Sequence, residues 1–579
     1  MNIPDELQSM LDGHMGPTKQ KAARLVVDLA VTAGVSEFIR VSHAHVSGVS
    51  VITGGHGLRR FLKDISNDPE GMVSIPTTLN SAGCDSEKID EMNIDYPDFL
   101  EQQFEIIQSY SKLGIDTILS CTPYDGYDEP LSGIGSWAES NAVCFSNSYT
   151  SLITNRESGL SALATAITGW APKWGLHIQK NRIPNIFVEV QCEMNDPTDW
   201  SILGDWIGKN IDPSWNMPWG PMPQIVGLHD SNFEKKKALT ASAANYGCPI
   251  LWIEGLTEKP STDKYQGNLI FTKSDLDSRY SELAPNGQVD LVVIGCPQAS
   301  VGEARATAAA VRTQMELGNR IPDKRLWLFM SSQNYVSIEG DGTLDILEEA
   351  GALILKDTCP EVTPYNREKY NHLLTNSLKA EHYLTSGLNN MPTSVSTIQD
   401  CVSHAFNPSL SAGPRPELHS NKSKQILSAK TPKFGSFKSN GKGIPSQETW
   451  SVSGKALVTD IPITYLGYVN RDTGVIEEPG HPLDGESISD TVLIYPKGSG
   501  STVAPYVLMG LIYTDMGPKA VVNRDVCPLT LPAVSLLGVP YAHAFDDDPT
   551  TEINSGDTVN LSLKDGKVTI SVISRTTEV

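Results

Sequence analysis

The sequence contains no uninterrupted apolar run near the ~20 residues that a helix needs to cross a bilayer. A spanning helix is therefore not expected, and residues 1–15 lack the order of charge, apolar stretch and small residues that marks a secretory leader. Positive charge is also scarce. Lys and Arg number 45 against 68 Asp and Glu, a formal net charge of −23, which disfavours nucleic acid or anionic membrane as a partner. The nine cysteines include no C-x-x-C or other short ligand spacing, which excludes the small zinc modules. An odd number of thiols without a leader points to reduced cysteines and a cytoplasmic protein. No repeat of solenoid length is visible.

What is present is a long globular chain. Its 579 residues, 39% hydrophobic and 20% charged, suffice for three or four cores. Helical spacing over 17–34 gives way to a strand over 38–41, and β-prone runs then alternate with helical ones through 72–75, 115–119, 186–190, 225–228, 250–253, 291–294, 326–330 and 353–355. This rhythm predicts parallel α/β architecture in more than one module. Residues 406–448 turn rich in Ser, Lys, Gly and Pro and read as a flexible linker. The expected division is a large region over 1–405, that linker, and a small β-rich domain over 449–579. A hairpin is predicted about Asp565-Gly566.

Three strand-like runs end in cysteine, at Cys121, Cys296 and Cys359. Ligands of open α/β sheets bind at such ends, and three converging thiolates suit a soft metal or an iron–sulfur cluster with one open position. The alternative is that each is a small buried hydrophobe, and Cys192 follows a strand in the same way. The stretch 121–159 is long, polar and poor in apolar runs, and reads as an ordered pocket wall. His43 and His45 alternate near a strand end and suit either substrate contact or packing. Gly54 to Gly57 precede a helix and offer an anion cradle or a plain turn. In the last domain, Lys497, Ser499 and Ser501 belong to a glycine loop before an apolar segment, where a helix N-terminus would favour an anion, including a serine alkoxide.

Together CTPYDGYDEP, WAESNAV, NSYTSLITNRESG, GCPQAS and DTCP resemble the large component of the aconitase X family, and PKGSGSTVAPYVL resembles its small swivelling component. The resemblance covers nearly the whole chain outside the linker. It implies an iron–sulfur hydro-lyase in which Cys121, Cys296 and Cys359 hold the cluster, with Cys192 and Cys401 as rivals. Two-, three- and four-iron forms all remain open. By the same resemblance Ser501 is the base, with Ser499 second, and Lys497 favours the alkoxide. Arg156 would grip the substrate carboxylate unless it pairs with Glu157 or Glu139. Asn80, Glu139, Ser140 and Asn147 would line the pocket, and Gly48, Val49 and Ser50 are further candidates. The chain departs from the family pattern at 132–136 and at Leu152-Ile153, both in the expected pocket wall.

The function this implies is dehydration of a 3-hydroxy carboxylic acid by a monomer. Fusion of both components in one chain favours cis-3-hydroxy-L-proline. Mevalonate 5-phosphate is the alternative, and would require an anion cradle such as Gly54 to Gly57. A non-catalytic iron–sulfur sensor is the third reading, against which the retained serine loop speaks.

Overall fold

The computed structural model describes residues 1–126, 132–212, 214–257, 262, 264–386, 388–411, 433–445 and 449–576. Among the described residues, three parallel sheets, a two-stranded antiparallel pair of Phe38–Arg40 with Trp170–Pro172, and a barrel carry the chain. The first sheet orders its strands Thr77–Leu79, His43–Val46, Ser132–Trp137 and Ser151–Arg156. All its pairings are parallel, so its carboxyl ends lie on one side. The second runs Gly267–Phe271, Ile186–Val190, Pro223–Val226 and Trp252–Ile253. The third orders Leu353–Lys356, Leu326–Met330, Leu291–Ile294, Leu373–Thr375 and Thr393–Val395. Its central strands are buried along their whole length, which explains their unbroken Val, Leu and Ile runs.

The carboxyl-terminal region closes a seven-stranded barrel. Its hairpin pairs Thr558–Lys564 with Lys567–Ser574, and Asp565 and Gly566 both take positive φ, 52° and 75°, as a tight two-residue turn demands. The barrel strand Lys438–Ile444 falls inside the stretch expected to be linker. Its alternating Ser, Gly and Lys bury little side chain, but its backbone pairs with strands on both sides, so composition alone hid it. Most of the rest of that stretch, 412–432 and 446–448, lies outside the described residues.

Other expectations also change. Residues 115–119 form one bridge, Asp116 to Thr78, rather than a strand, because Leu119 takes φ 49°. The strand expected at 72–75 begins later, at Thr77. The supposed irregular wall holds two strands and the helix Ser140–Tyr149; that helix is buried on nearly every side, so it has no apolar stripe to read.

One hydrophobic core joins the first module to the swivel side of the barrel, with Leu58, Leu62, Tyr110, Tyr506, Leu508 and Leu531 all buried in it. Helix Val51–Ser66 packs against helix Ala504–Tyr513. At the crossing, a Cβ on Gly57 would stand 2.5 Å from the Gly510 nitrogen, so glycine is what lets the two backbones approach.

Candidate active site

The three cysteines meet. Cys296 and Cys359 follow two strands of the third sheet, and their sulfurs lie with a Glu361 carboxylate oxygen inside a 4.8 Å cluster. Cys121 comes from the first module, and its free thiol lies beside that of Cys359. All three are almost wholly buried. Burial pushes each thiol above its ordinary range; a coordinated cation would reverse this and hold them as thiolates. The donor set thus fits a soft metal or iron–sulfur group. Cys192 and Cys401 lie elsewhere, the first against Met194 and the second bonded to the Ser396 carbonyl.

Gln298 holds this convergence together, a role not legible beyond its place in GCPQAS. Its Oε1 accepts the Cys121 N–H at 3.1 Å, its own N–H donates to the Cys121 sulfur at 3.3 Å, and its Nε2 reaches the carbonyls of Leu119 and Thr358. One buried amide therefore ties together the chain ends that carry all three thiols.

Beside the thiols runs a buried ionic chain. Lys379 Nζ lies 2.9 Å from Glu361 Oε1 and 3.2 Å from Glu139 Oε1, and Glu361 Oε2 stands 3.7 Å from Cys296 Sγ. Burial opposes the charge on Lys379, yet the two carboxylates hold its ammonium well above the ordinary range. They are not equivalent. Burial opposes the charge on Glu139 too, but Lys379 and Asn141 keep its carboxyl below the usual value, whereas burial and the charge of Glu139 leave Glu361 raised. Glu139 also caps helix Ser140–Tyr149 and accepts from Asn80 Nδ2 at 2.9 Å.

Glu139 and Glu361 form part of the wall of a cleft. Ser47, Gly48, Val49 and Asn80 line it from the first module, and Ser501 and Thr502 from the barrel domain. Ser501 stands just before helix Ala504–Tyr513, with its Oγ accepting from the Val503 N–H at 3.4 Å. Gly500 turns there at φ 83°. Arg156 pairs with neither Glu157 nor Glu139 but donates from Nη2 to the Gly500 carbonyl at 3.2 Å.

Several expected residues lie elsewhere. Ser499 is engaged with Thr464 Oγ1 at 2.7 Å, and Lys497 is exposed and outside the cleft lining. Asn147 is buried in structural bonds to Thr154, Pro249 and Arg182. Ser50 donates to the Val362 carbonyl, and neither it nor Ser140 lines the cleft. Both histidines are packing groups: His43 accepts from Trp137, His45 bonds Thr78, and burial drives His45 down to about 3. Gly54 to Gly57 lie inside a kinked helix. Arg471 closes over Gly55 and donates to the carbonyls of Ile52 and Thr53, so these glycines serve domain packing. The departures at 132–136 and 152–153 lie in paired strands outside the cleft lining.

Comparison with known proteins agrees with this layout. Family models described as the aconitase X first domain, third domain and swivel domain match residues 1–180, 289–407 and 446–570. A phosphomevalonate dehydratase large subunit of Methanosarcina mazei is 30% identical over 412 residues, 70% of this chain and 97% of the relative. A cis-3-hydroxy-L-proline dehydratase of Pseudomonas aeruginosa is 30% identical over 398 residues, 65% of each chain. The holo-form crystal structure of Thermococcus kodakaraensis aconitase X aligns with TM-score 0.62 and 30% identity, covering 69% of this chain and 99% of that one. With three of its domain models matched in order and a relative covered almost end to end, this chain belongs to the aconitase X family.

Proposed function

We propose that the chain, a hydro-lyase acting on a hydroxy acid, dehydrates cis-3-hydroxy-L-proline to 1-pyrroline-2-carboxylate. The observation that carries this reading is the cleft that Ser501 shares with Glu139 and Glu361, beside the three cysteines. Its described lining contains two carboxylates and no Lys or Arg. A cationic ring amine suits such a wall, and a phosphate dianion does not. Of the glycines read as a phosphate cradle, Gly55 faces Arg471 and Gly57 faces the Gly510 backbone.

Bound by Cys121, Cys296 and Cys359, an iron–sulfur cluster supplies a Lewis acid that eases departure of hydroxide, a poor leaving group. Ser501 takes the proton from the carbon alpha to the carboxylate, its alkoxide favoured by the Val503 N–H and by the positive end of helix Ala504–Tyr513. The C–H electron pair forms the C2=C3 bond as the C3–O bond breaks. The departing hydroxide takes up the proton held by Ser501 and leaves as water, which restores the alkoxide. The enamine tautomerises to the cyclic imine as a proton passes from nitrogen to C3. Arg156, at the Gly500 edge, grips the carboxylate when its weak carbonyl bond is exchanged for a bidentate one. Glu139, fixed by Asn80, Asn141 and Lys379, receives the ring ammonium. The protein is proposed to work as a cytoplasmic monomer; no helix among the described residues is long and apolar enough to cross a membrane.

The test is turnover of cis-3-hydroxy-L-proline by anaerobically reconstituted protein, read as cyclic imine. Ser501→Ala should lose at least about 100-fold in kcat with its absorption spectrum intact, and Cys296→Ala should lose the spectrum as well. Wild-type protein with a normal spectrum and no turnover would reject this substrate in favour of mevalonate 5-phosphate, the reading that the Methanosarcina relative supports.

A further inference from the structure

We infer that Tyr506 is a positioning residue for the serine loop: it locks the start of helix Ala504–Tyr513 onto the Ser47–Gly48 edge of the cleft and so holds Ser501 in place. This rests on the reading of Ser501 as base and adds what fixes that base across a domain boundary.

The ring of Tyr506 is 1% exposed and lies in a slot that only glycines permit. A Cβ on Gly48 or on Gly159 would overlap the tyrosine side chain, and Gly48 also requires its φ of 93°. The two glycines come from different elements, the loop after strand His43–Val46 and the first turn of helix Gly159–Thr168. Into that slot the Tyr506 hydroxyl reaches far enough to donate to the Ser47 carbonyl at 2.9 Å. Neighbouring bonds run parallel to it. Gly159 N–H donates to the Thr502 carbonyl at 3.1 Å, and the hydroxyls of Ser47 and Thr502 stand 3.4 Å apart. Tyr110 supports the same edge by donating to the Gly48 carbonyl at 3.2 Å. Ser47, Gly48, Ser501 and Thr502 all line the cleft, so the clamp acts on the reacting wall itself.

A phenylalanine ring fills the same slot, so packing alone does not account for the hydroxyl. Removing it leaves the buried Ser47 carbonyl without this donor and frees the loop on the swivel side. Misplacing a base by a fraction of an ångström lowers kcat more than it weakens substrate binding.

The experiment uses full-length reconstituted protein carrying Tyr506→Phe. The expected result is a kcat about tenfold lower with KM within about twofold of wild type, unchanged cluster absorption and melting transition, and faster hydrogen exchange at the Gly159 amide. Placed on Ser501→Ala, the same change should cost nothing further. A folded Tyr506→Phe with wild-type kcat and wild-type Gly159 exchange overturns the inference, as does an equal fold loss in the Ser501→Ala background. Should Ser501→Ala itself keep full turnover, the base assignment fails, and Gly159 exchange in Tyr506→Phe still decides whether the clamp exists.

Discussion

Among single residues, Lys379 makes a direct prediction for stability. Its single ammonium is shared by two largely buried carboxylates, Glu139 and Glu361. Lys379→Met would leave both without their cation, and breaking such a pair costs about 3–5 kcal/mol; calorimetry should find the large region melting well below wild type. The double change Lys379→Met with Glu361→Gln should recover part of that loss, since one buried charge goes with it. His543 gives a second residue-scale prediction. It is buried in the barrel with no hydrogen-bond partner on either ring nitrogen among the described residues, and burial, aided by Lys442, lowers it to about 4. The folded protein therefore takes up this proton later than the unfolded chain does. Its contribution is complete above the unfolded value near 6.5 and is lost as pH falls toward 4. His543→Leu should flatten that part of the denaturant midpoint against pH, with little change at pH 8. Cys296 and Cys359 were legible as residues that follow strands of a parallel sheet; Cys121 follows no strand, and the family resemblance is what set these three apart from Cys192. Lys379 and Gln298 were not legible, because a lysine in the first turn of a short helix and an amide after a cis proline look like solvent-facing groups until folding buries them.

At the scale of elements, the legible parts were the unbroken apolar runs of the third sheet's central strands and the elements whose faces differ, the terminal hairpin and helix Pro17–Ala33 with its apolar side. Helix Ser140–Tyr149 was not legible because it is enclosed by small polar residues that bond inward. Glycines misled for a related reason, since Gly57 serves a crossing between helices and no ligand. That crossing makes its own prediction. Gly57→Val would drive a branched side chain into the backbone at Gly510, where no flexible group can yield, and overpacking of this kind costs about 1–3 kcal/mol. The two helices must separate, and helix Ala504–Tyr513 carries the serine loop, so activity should fall along with the melting temperature. Retained activity in a destabilised Gly57→Val would show that the loop keeps its place without this helix pair.

At the scale of the molecule, the question is what keeps the barrel domain over the cleft: the covalent connection or the interface. The interface is extensive for an intramolecular one. Besides the Val51–Ser66 and Ala504–Tyr513 crossing, helix Leu531–Leu537 packs on helix Pro17–Ala33, Ser535 donates to Asp28 at 2.7 Å, His56 bonds the Gly510 carbonyl, and Arg471 is inserted among first-module carbonyls. The apolar side chains of both parts belong to one core, which is the character of an obligate contact rather than a transient one. The relative whose name specifies a large subunit matches 70% of this chain over nearly its own full length. Cleavage at a protease site engineered within 412–432 should therefore leave two fragments that co-elute on size exclusion and retain most of the turnover at micromolar concentration. Fragments that separate, with activity that falls on dilution and returns on remixing, would mean that the connection supplies the effective concentration the interface needs.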